Sequence, residues 1–383
     1  MPEKMNRRDF VRTASAAAVI PPTLASLGAA TPRPTGHTPD GSRWPGYAGA
    51  VVIDCLASPG LFNVPVNPPL TPEMIRYAVE SGITAVNVTV SGGDFESTMR
   101  RMSPRVADVH RYPEAFRQVR DVAGLLAAKE EGRLGLIFGF QDTMPIERDL
   151  SKLDVFHDLG VKIIQLTYNV RNFVGDGCLE PGNAGLSTFG RQVVERMDEL
   201  GILVDLGHCG QRTTAEGIAA SKNPVAITHS GCSAVEPHPR SKRDEELRAM
   251  ADGGGVVGIY LMPFLTPGRV PTAADVLDHI EHAIQVCGED HVGIGSDLST
   301  TPIDGSDEYW KMHRTFVAGR IEAGIAAPNE HPDILFTVPE LNSHRRMDLL
   351  ADAMAARGHT SARIEKVLGG NFLRLFRDVW GAA

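Results

Sequence analysis

From residue 50 onward, apolar runs of strand length alternate with stretches in which apolar residues recur at spacings of three and four. The runs predict strands over Ala50–Leu56, Thr84–Val90, Leu134–Gln141, Lys162–Tyr168, Leu203–His208, Val225–His229, Val256–Leu261 and Val292–Asp297. Between them, Tyr112–Glu131, Ser187–Leu200 and Ala273–Val286 carry helical spacing. Thr71-Pro72-Glu73 reads as a helix start, a capping hydroxyl followed by proline at the first helical position. Most of the strands are continuously apolar, the pattern of strands covered on both faces. Eight such units predict an α/β protein, a (β/α)8 (TIM) barrel. An open doubly wound sheet competes with it, but would carry a glycine-rich phosphate turn after the first strand. The sequence there is Asp54-Cys55-Leu56-Ala57-Ser58-Pro59-Gly60, without that spacing.

The barrel pattern does not reach the N-terminus. Asn6-Arg7-Arg8-Asp9-Phe10 precedes an alanine-rich stretch from Thr13 to Ala30, the layout of a twin-arginine export signal. Residues 31–47, rich in Pro, Gly and Thr, read as a linker, which leaves 48–383 for the barrel. The expectation is an exported, periplasmic protein. A formal charge of −9 weighs against nucleic acid or an anionic membrane as partner. No later window offers the roughly twenty apolar residues of a membrane span. Five cysteines, Cys55, Cys178, Cys209, Cys232 and Cys287, lack metal-knuckle spacing, and Cys209 and Cys232 fall on neighbouring loops where they either pair or line a pocket.

Barrel enzymes place their chemistry where strands end and the following loops begin. Here those ends are Gln141, Tyr168, His208, His229 and Asp297. Two histidines on adjacent strands and a carboxylate on a third converge on one point at the mouth. Neutral imidazoles are common zinc ligands, and a site with few protein ligands leaves room for a nucleophilic water. Asp54, on the first strand, reads as a structural hydrogen-bond acceptor. The segment from Thr300 to Arg346 is long for a barrel connection and reads either as a lid over the mouth or as a surface excursion.

With these residues in view, the sequence resembles the membrane (renal) dipeptidases, metallopeptidases of family M19 with an amidohydrolase-type barrel. The likeness rests on Gln165-Leu166-Thr167-Tyr168-Asn169, Val204-Asp205-Leu206-Gly207-His208, Ala226-Ile227-Thr228-His229-Ser230, His238-Pro239-Arg240 and Gly293-Ile294-Gly295-Ser296-Asp297. It implies His208 and His229 as metal ligands, Asp297 as catalytic acid and base, and Arg240 as receptor for a substrate carboxylate. The family's remaining ligands are altered: its strand-one histidine and aspartate stand as Leu56 and Ser58, its bridging glutamate as Gln141, and a substrate-binding histidine as Tyr168. Leucine cannot ligate, and an uncharged amide cannot offset the repulsion of two nearby dications. The resemblance therefore implies one zinc or similar divalent ion on His208, His229 and either Gln141 or Asp297, and a homodimer. The family's strand-one ligand points inward at position 56, so strand alternation implies that Cys55 faces outward, toward the helices, as a packed thiol.

The leading expectation is a metal-dependent hydrolase cutting an amide bond in a small, carboxylate-bearing, dipeptide-like substrate. Two other classes compete: an isomerase or lyase using Asp297, Tyr168 and His208 without metal, and a non-catalytic periplasmic binding protein.

Overall fold

A computed structural model describes residues 43–62, 69–266 and 268–381. The export-signal segment and most of the linker lie outside the described residues. The end of that linker is already part of the barrel unit: Trp44 is buried, its backbone N–H donates to Asp352 and its indole N–H to Ser361, while Tyr47 donates to the Ser81 carbonyl.

Eleven strands are present among the described residues: β1 (Ile53–Asp54), β2 (Ala57–Ser58), β3 (Ala85–Thr89), β4 (Phe116–Gln118), β5 (Leu134–Phe140), β6 (Val161–Gln165), β7 (Leu203–Asp205), β8 (Ala226–Ser230), β9 (Val256–Ile259), β10 (Val292–Ile294) and β11 (Leu298–Ser299). All ladders between them are parallel. β1 pairs with both β3 and β10, and β3 with β5, so β1, β3 and β5–β10 close an eight-stranded barrel. This is the expected (β/α)8 architecture. β2 and β11 form a small second pairing beyond the ends of β1 and β10.

β4 departs from expectation. Tyr112–Glu131 is not one helix: Phe116–Gln118 pairs with the first half of β5, and a helix follows over Val122–Glu130. The break has a local cause, since Asp121 caps the later helix, its side chain accepting from the Gly124 N–H.

Two apolar layers hold the barrel. One residue from each of seven strands (Ile53, Ala85, Ile137, Ile163, Leu203, Ala226 and Val256) joins Phe372 and Phe376 of the C-terminal helix Asn371–Trp380 in an interior cluster. Their sequence neighbours, such as Val86, Leu136, Ile164, Val204 and Ile227, pack in the larger cluster that includes the surrounding helices. Cys55 belongs to the interior set, not the outer one. Alternation counted from Ile53 does turn Cys55 inward; the expectation counted back from position 56, across the bend at Cys55–Leu56 that separates β1 from β2. Its role as a packed thiol stands, and burial pushes its pKa well above the ordinary value.

Candidate active site

Above the interior apolar layer lies a polar one: Asn87, Gln165, Asp205 and Thr228, all buried. Gln165, Asp205 and Thr228 of this layer aim the two histidines, while Asn87 donates to the Cys55 carbonyl. Gln165 donates to the Gln141 carbonyl at 2.6 Å and accepts from the His208 backbone N–H at 3.2 Å. Asp205 accepts from the N–H groups of Gly207 and Thr228 and, at 2.7 Å, from the Thr228 hydroxyl. Thr228 Oγ1 in turn lies 2.8 Å from His229 Nδ1. Gly207 is required at its position, because a Cβ there would sit 2.9 Å from Gln165 Oε1 and 3.2 Å from the His229 ring.

His208 and His229 are buried with their Nε2 atoms 2.8 Å apart. The partners of the other ring nitrogens fix the tautomers. His208 Nδ1 meets Asn169 Oδ1 at 2.6 Å, an oxygen that can only accept, so Nδ1 carries the hydrogen. The Thr228 hydroxyl spends its own hydrogen on Asp205, so it accepts from His229 Nδ1–H. Both Nε2 atoms therefore present lone pairs to one another. Burial first, then the positive charge of Arg240, holds both imidazole pKa values well below 6.5, so the rings are neutral. Two facing lone pairs repel unless a cation lies between them. Nδ1 hydrogens tied to backbone-anchored acceptors are also the support that metal-binding histidines characteristically have. The facing imidazole donors fit a divalent cation; among the described residues no group of three or more His, Cys, Asp or Glu side chains is placed to hold one, so the protein ligands seen are these two nitrogens.

Gln141 stands apart from this pair. Its side-chain nitrogen donates to Thr89 Oγ1 at 3.0 Å, and it makes no hydrogen bond to either histidine. Leu56 is buried yet belongs to neither apolar cluster, and its carbonyl accepts from the Asp297 N–H at 2.8 Å. Asp297, between β10 and β11, is thus tied to the β1–β2 bend, in a left-handed backbone conformation (φ 59°) that aspartate tolerates better than most residues. Burial raises its carboxyl to about 7 against the opposing pull of Arg240 and Arg320.

Arg240 is 1% exposed, and its guanidinium donates to the carbonyl of Gly207, which precedes His208, and to that of His229. Among the described residues no carboxylate forms an ion pair with it. Tyr168 stacks on His208, ring centroids 4.2 Å apart and planes 23° apart.

The segment from Thr300 to Arg346 is docked on the mouth. The Ile325 carbonyl accepts from Asn169 Nδ2 at 2.8 Å, the Pro328 carbonyl lies 2.8 Å from His238 Nε2, and Arg320 donates to the Tyr168 hydroxyl. All five cysteines are free. Cys209 accepts from Thr167 and lines a cavity of about 440 Å³ between the loops after β6, β7 and β8, while Cys232 faces the His279 carbonyl; the two do not pair.

Sequence comparison agrees with this geometry. The sequence model of the membrane dipeptidase family (peptidase family M19) matches residues 74–319. The chain belongs to that family. Its members are hydrolases, and the chain is similar to dipeptidase verJ of Clonostachys rogersoniana, 27% identical over 300 residues that cover 77% of this chain and 69% of the relative. An uncharacterised dipeptidase of Schizosaccharomyces pombe is 33% identical over 260 residues, covering 66% of this chain and 55% of that protein. The chain spans from about half to just over two thirds of the length of the curated relatives it matches. Among solved structures, an amidohydrolase from Pseudomonas aeruginosa is 33% identical with a TM-score of 0.78, covering 88% of this chain and 98% of that one. A metallopeptidase from Rhodobacter sphaeroides, solved with a phosphinate mimic of the dipeptide L-Ala-D-Ala, shares the fold at 18% identity and a TM-score of 0.68, covering 86% of this chain and 99% of that one.

Of the residues expected from the sequence, the structure brings His208, His229, Tyr168 and Arg240 into direct contact or one bond apart, with Asp297 close enough to feel Arg240 and Arg320. The supporting residues Asn169, Gln165, Asp205, Thr228 and Arg320 had no role in the sequence reading. The signal for Asn169 was its place directly after Tyr168 in the Gln165–Asn169 run.

Proposed function

We propose that the chain is a metal-dependent hydrolase of dipeptidase ancestry, cutting an amide bond of a small carboxylate-bearing substrate at a site built for a single divalent ion, zinc or a similar metal. The observation that carries this reading is the pair of imidazole lone pairs facing each other at 2.8 Å, with both Nδ1 hydrogens held elsewhere. When bound, such an ion polarises a carbonyl and lowers the pKa of a coordinated water. His208 and His229 would hold it, while Asn169 and the Thr228–Asp205 pair keep the rings aimed. Gln141 offers at most a neutral amide oxygen, and its amide nitrogen is committed to Thr89.

The protein's own groups supply the rest. An Asp297 carboxylate oxygen takes a proton from the attacking water and returns it to the departing amine nitrogen, a task for which a pKa near 7 is well matched. The Arg240 guanidinium, without a carboxylate partner, binds the substrate carboxylate. Tyr168 forms the wall over His208. Export through the twin-arginine pathway, resting on Arg7-Arg8, belongs to the same proposal, as does a homodimer.

The test is a panel of L,L- and L,D-dipeptides and N-acyl amino acids, assayed after chelation and again with added zinc. The expected result is zinc-dependent turnover of part of the panel, with ordinary L,L-dipeptides poor substrates. A second reading, metal-free acid–base chemistry, is favoured by one observation, the near-neutral Asp297 beside Tyr168. No turnover of any amide with or without zinc would reject hydrolysis and favour that reading.

A further inference from the structure

The docked segment contributes more than cover. Arg320, on the helix Asp307–Glu322, donates from Nη1 to the Tyr168 hydroxyl at 3.1 Å, with its guanidinium 5.6 Å from the Tyr168 ring centroid and 5.4 Å from that of Phe316. Glu330 clamps it from the other side, accepting from Nε and, at 2.7 Å, from Nη2. Glu330 is itself pinned, accepting from the Ala327 N–H at 2.9 Å. Both partners of the ion pair are buried. The guanidinium therefore cannot swing away from the phenol without leaving a buried carboxylate unpaired.

A phenol oxygen accepts and also donates one hydrogen. Arg320 occupies its accepting side with a cationic N–H. Among the described residues nothing accepts the hydrogen it can donate. The ring lies flat on His208, one of the two facing imidazoles, while its hydroxyl meets Arg320. A cationic donor to a hydroxyl oxygen draws electron density from the O–H bond and makes it a stronger donor, as in other hydrogen-bond chains of low-dielectric sites.

Building on the hydrolase reading above, we propose that Tyr168 donates its phenolic hydrogen to the substrate oxygen that gains negative charge during amide cleavage, and that Arg320, locked by Glu330, is the positioning residue that orients and strengthens that donor. The segment outside the regular barrel would thus complete the active site, and its role is transition-state stabilisation rather than ground-state binding.

The experiment measures kcat and KM on the best amide of the panel, and binding of the phosphinate mimic of L-Ala-D-Ala, for the zinc-loaded protein and four variants. Tyr168→Phe keeps the ring and its stacking. It is expected to lower kcat by about 100-fold, the effect of removing one such donor, with KM within threefold and phosphinate affinity falling with kcat. Arg320→Lys, which can still donate to the phenol, should fall less than Arg320→Ala. The double variant Tyr168→Phe/Arg320→Ala should be no slower than the slower single variant, because Arg320 acts through the phenol. Should Arg320→Ala be poorly folded, Arg320→Met/Glu330→Gln removes the pair without stranding a charge. Wild-type kcat in Tyr168→Phe, losses confined to KM, or multiplied losses in the double variant would overturn the proposal while leaving the hydrolase reading intact. Absence of wild-type turnover across the whole panel would instead overturn the hydrolase reading, and this proposal with it.

Discussion

Replacing Arg346 by Met tests how the barrel holds its catalytic strand. Arg346 begins the helix Arg346–Ala356 and reaches Asp54 on β1, 292 residues earlier, at 3.0 Å. The two side chains are 2% and 0% exposed. Asp54 also accepts from the backbone N–H and the hydroxyl of Ser296, at 2.7 and 2.6 Å, and Ser296 immediately precedes Asp297. Arg346 further donates to the Ser299 carbonyl at 2.6 Å. Losing one partner of a buried pair typically costs about 3–5 kcal/mol, because the remaining charge stays desolvated. Asp54 keeps its two bonds from Ser296, so the lower end is expected, about 3 kcal/mol at pH 8, seen as a drop on the order of 5 °C in Tm. The pH dependence has a definite sign. Burial already raises the Asp54 pKa and Arg346 opposes that shift. Without Arg346 the folded-state pKa rises further, so stability is lost as pH increases from the ordinary carboxyl range toward that value. The deficit should therefore shrink at pH 5. Adding Asp54→Asn should recover much of it at pH 8. Thermal unfolding at the two pH values measures all of this. A single variant as stable as wild type, or a deficit that neither pH nor Asp54→Asn relieves, would refute the charge argument and assign the loss to packing.

Gly207→Ala should reduce metal affinity by about 10–100-fold, the usual cost of disturbing a ligand's support, with Tm shifted only a few degrees; calorimetric zinc titration checks it, and unchanged affinity would mean the His229 ring is not crowded there. His208→Ala should lose nearly as much bound zinc as His208→Ala/His229→Ala, because either loss dismantles a shared site; independent, additive losses would contradict a common ion. For Asp297, kcat/KM should rise with pH through about 7, since the base must be ionised. The same raised pKa makes ionisation destabilising, with stability lost as pH rises from the ordinary carboxyl range to about 7. Asp297→Asn should therefore be inactive yet melt higher than wild type at pH 8, in metal-free protein, and equally at pH 4.

The barrel was legible because eight apolar runs are a long-range pattern that few folds share, and the strand-end rule then located Tyr168, His208, His229 and Asp297. What escaped the sequence depends on tertiary pairing. β4 is three residues long and carries Arg117 and Gln118, so it has no apolar run to announce it. Cys55 was placed on the wrong face because alternation was carried through a bend. Arg320 meets Tyr168 across 152 residues, and nothing in its own helix distinguishes it from a surface arginine. Asn169, Thr228 and Asp205 become informative only once their partners show which nitrogen of each histidine carries its hydrogen.

The number of metal ions bound by the intact protein tests the central claim most directly. Mass spectrometry under native conditions and elemental analysis, after loading with excess zinc and exhaustive dialysis, should give about one equivalent. That equivalent should vanish in His208→Ala, and dipeptide turnover should be weak. Two tightly held equivalents with strong hydrolysis of ordinary L,L-dipeptides would contradict the account, because the described residues offer a second ion no cluster of His, Cys, Asp or Glu side chains.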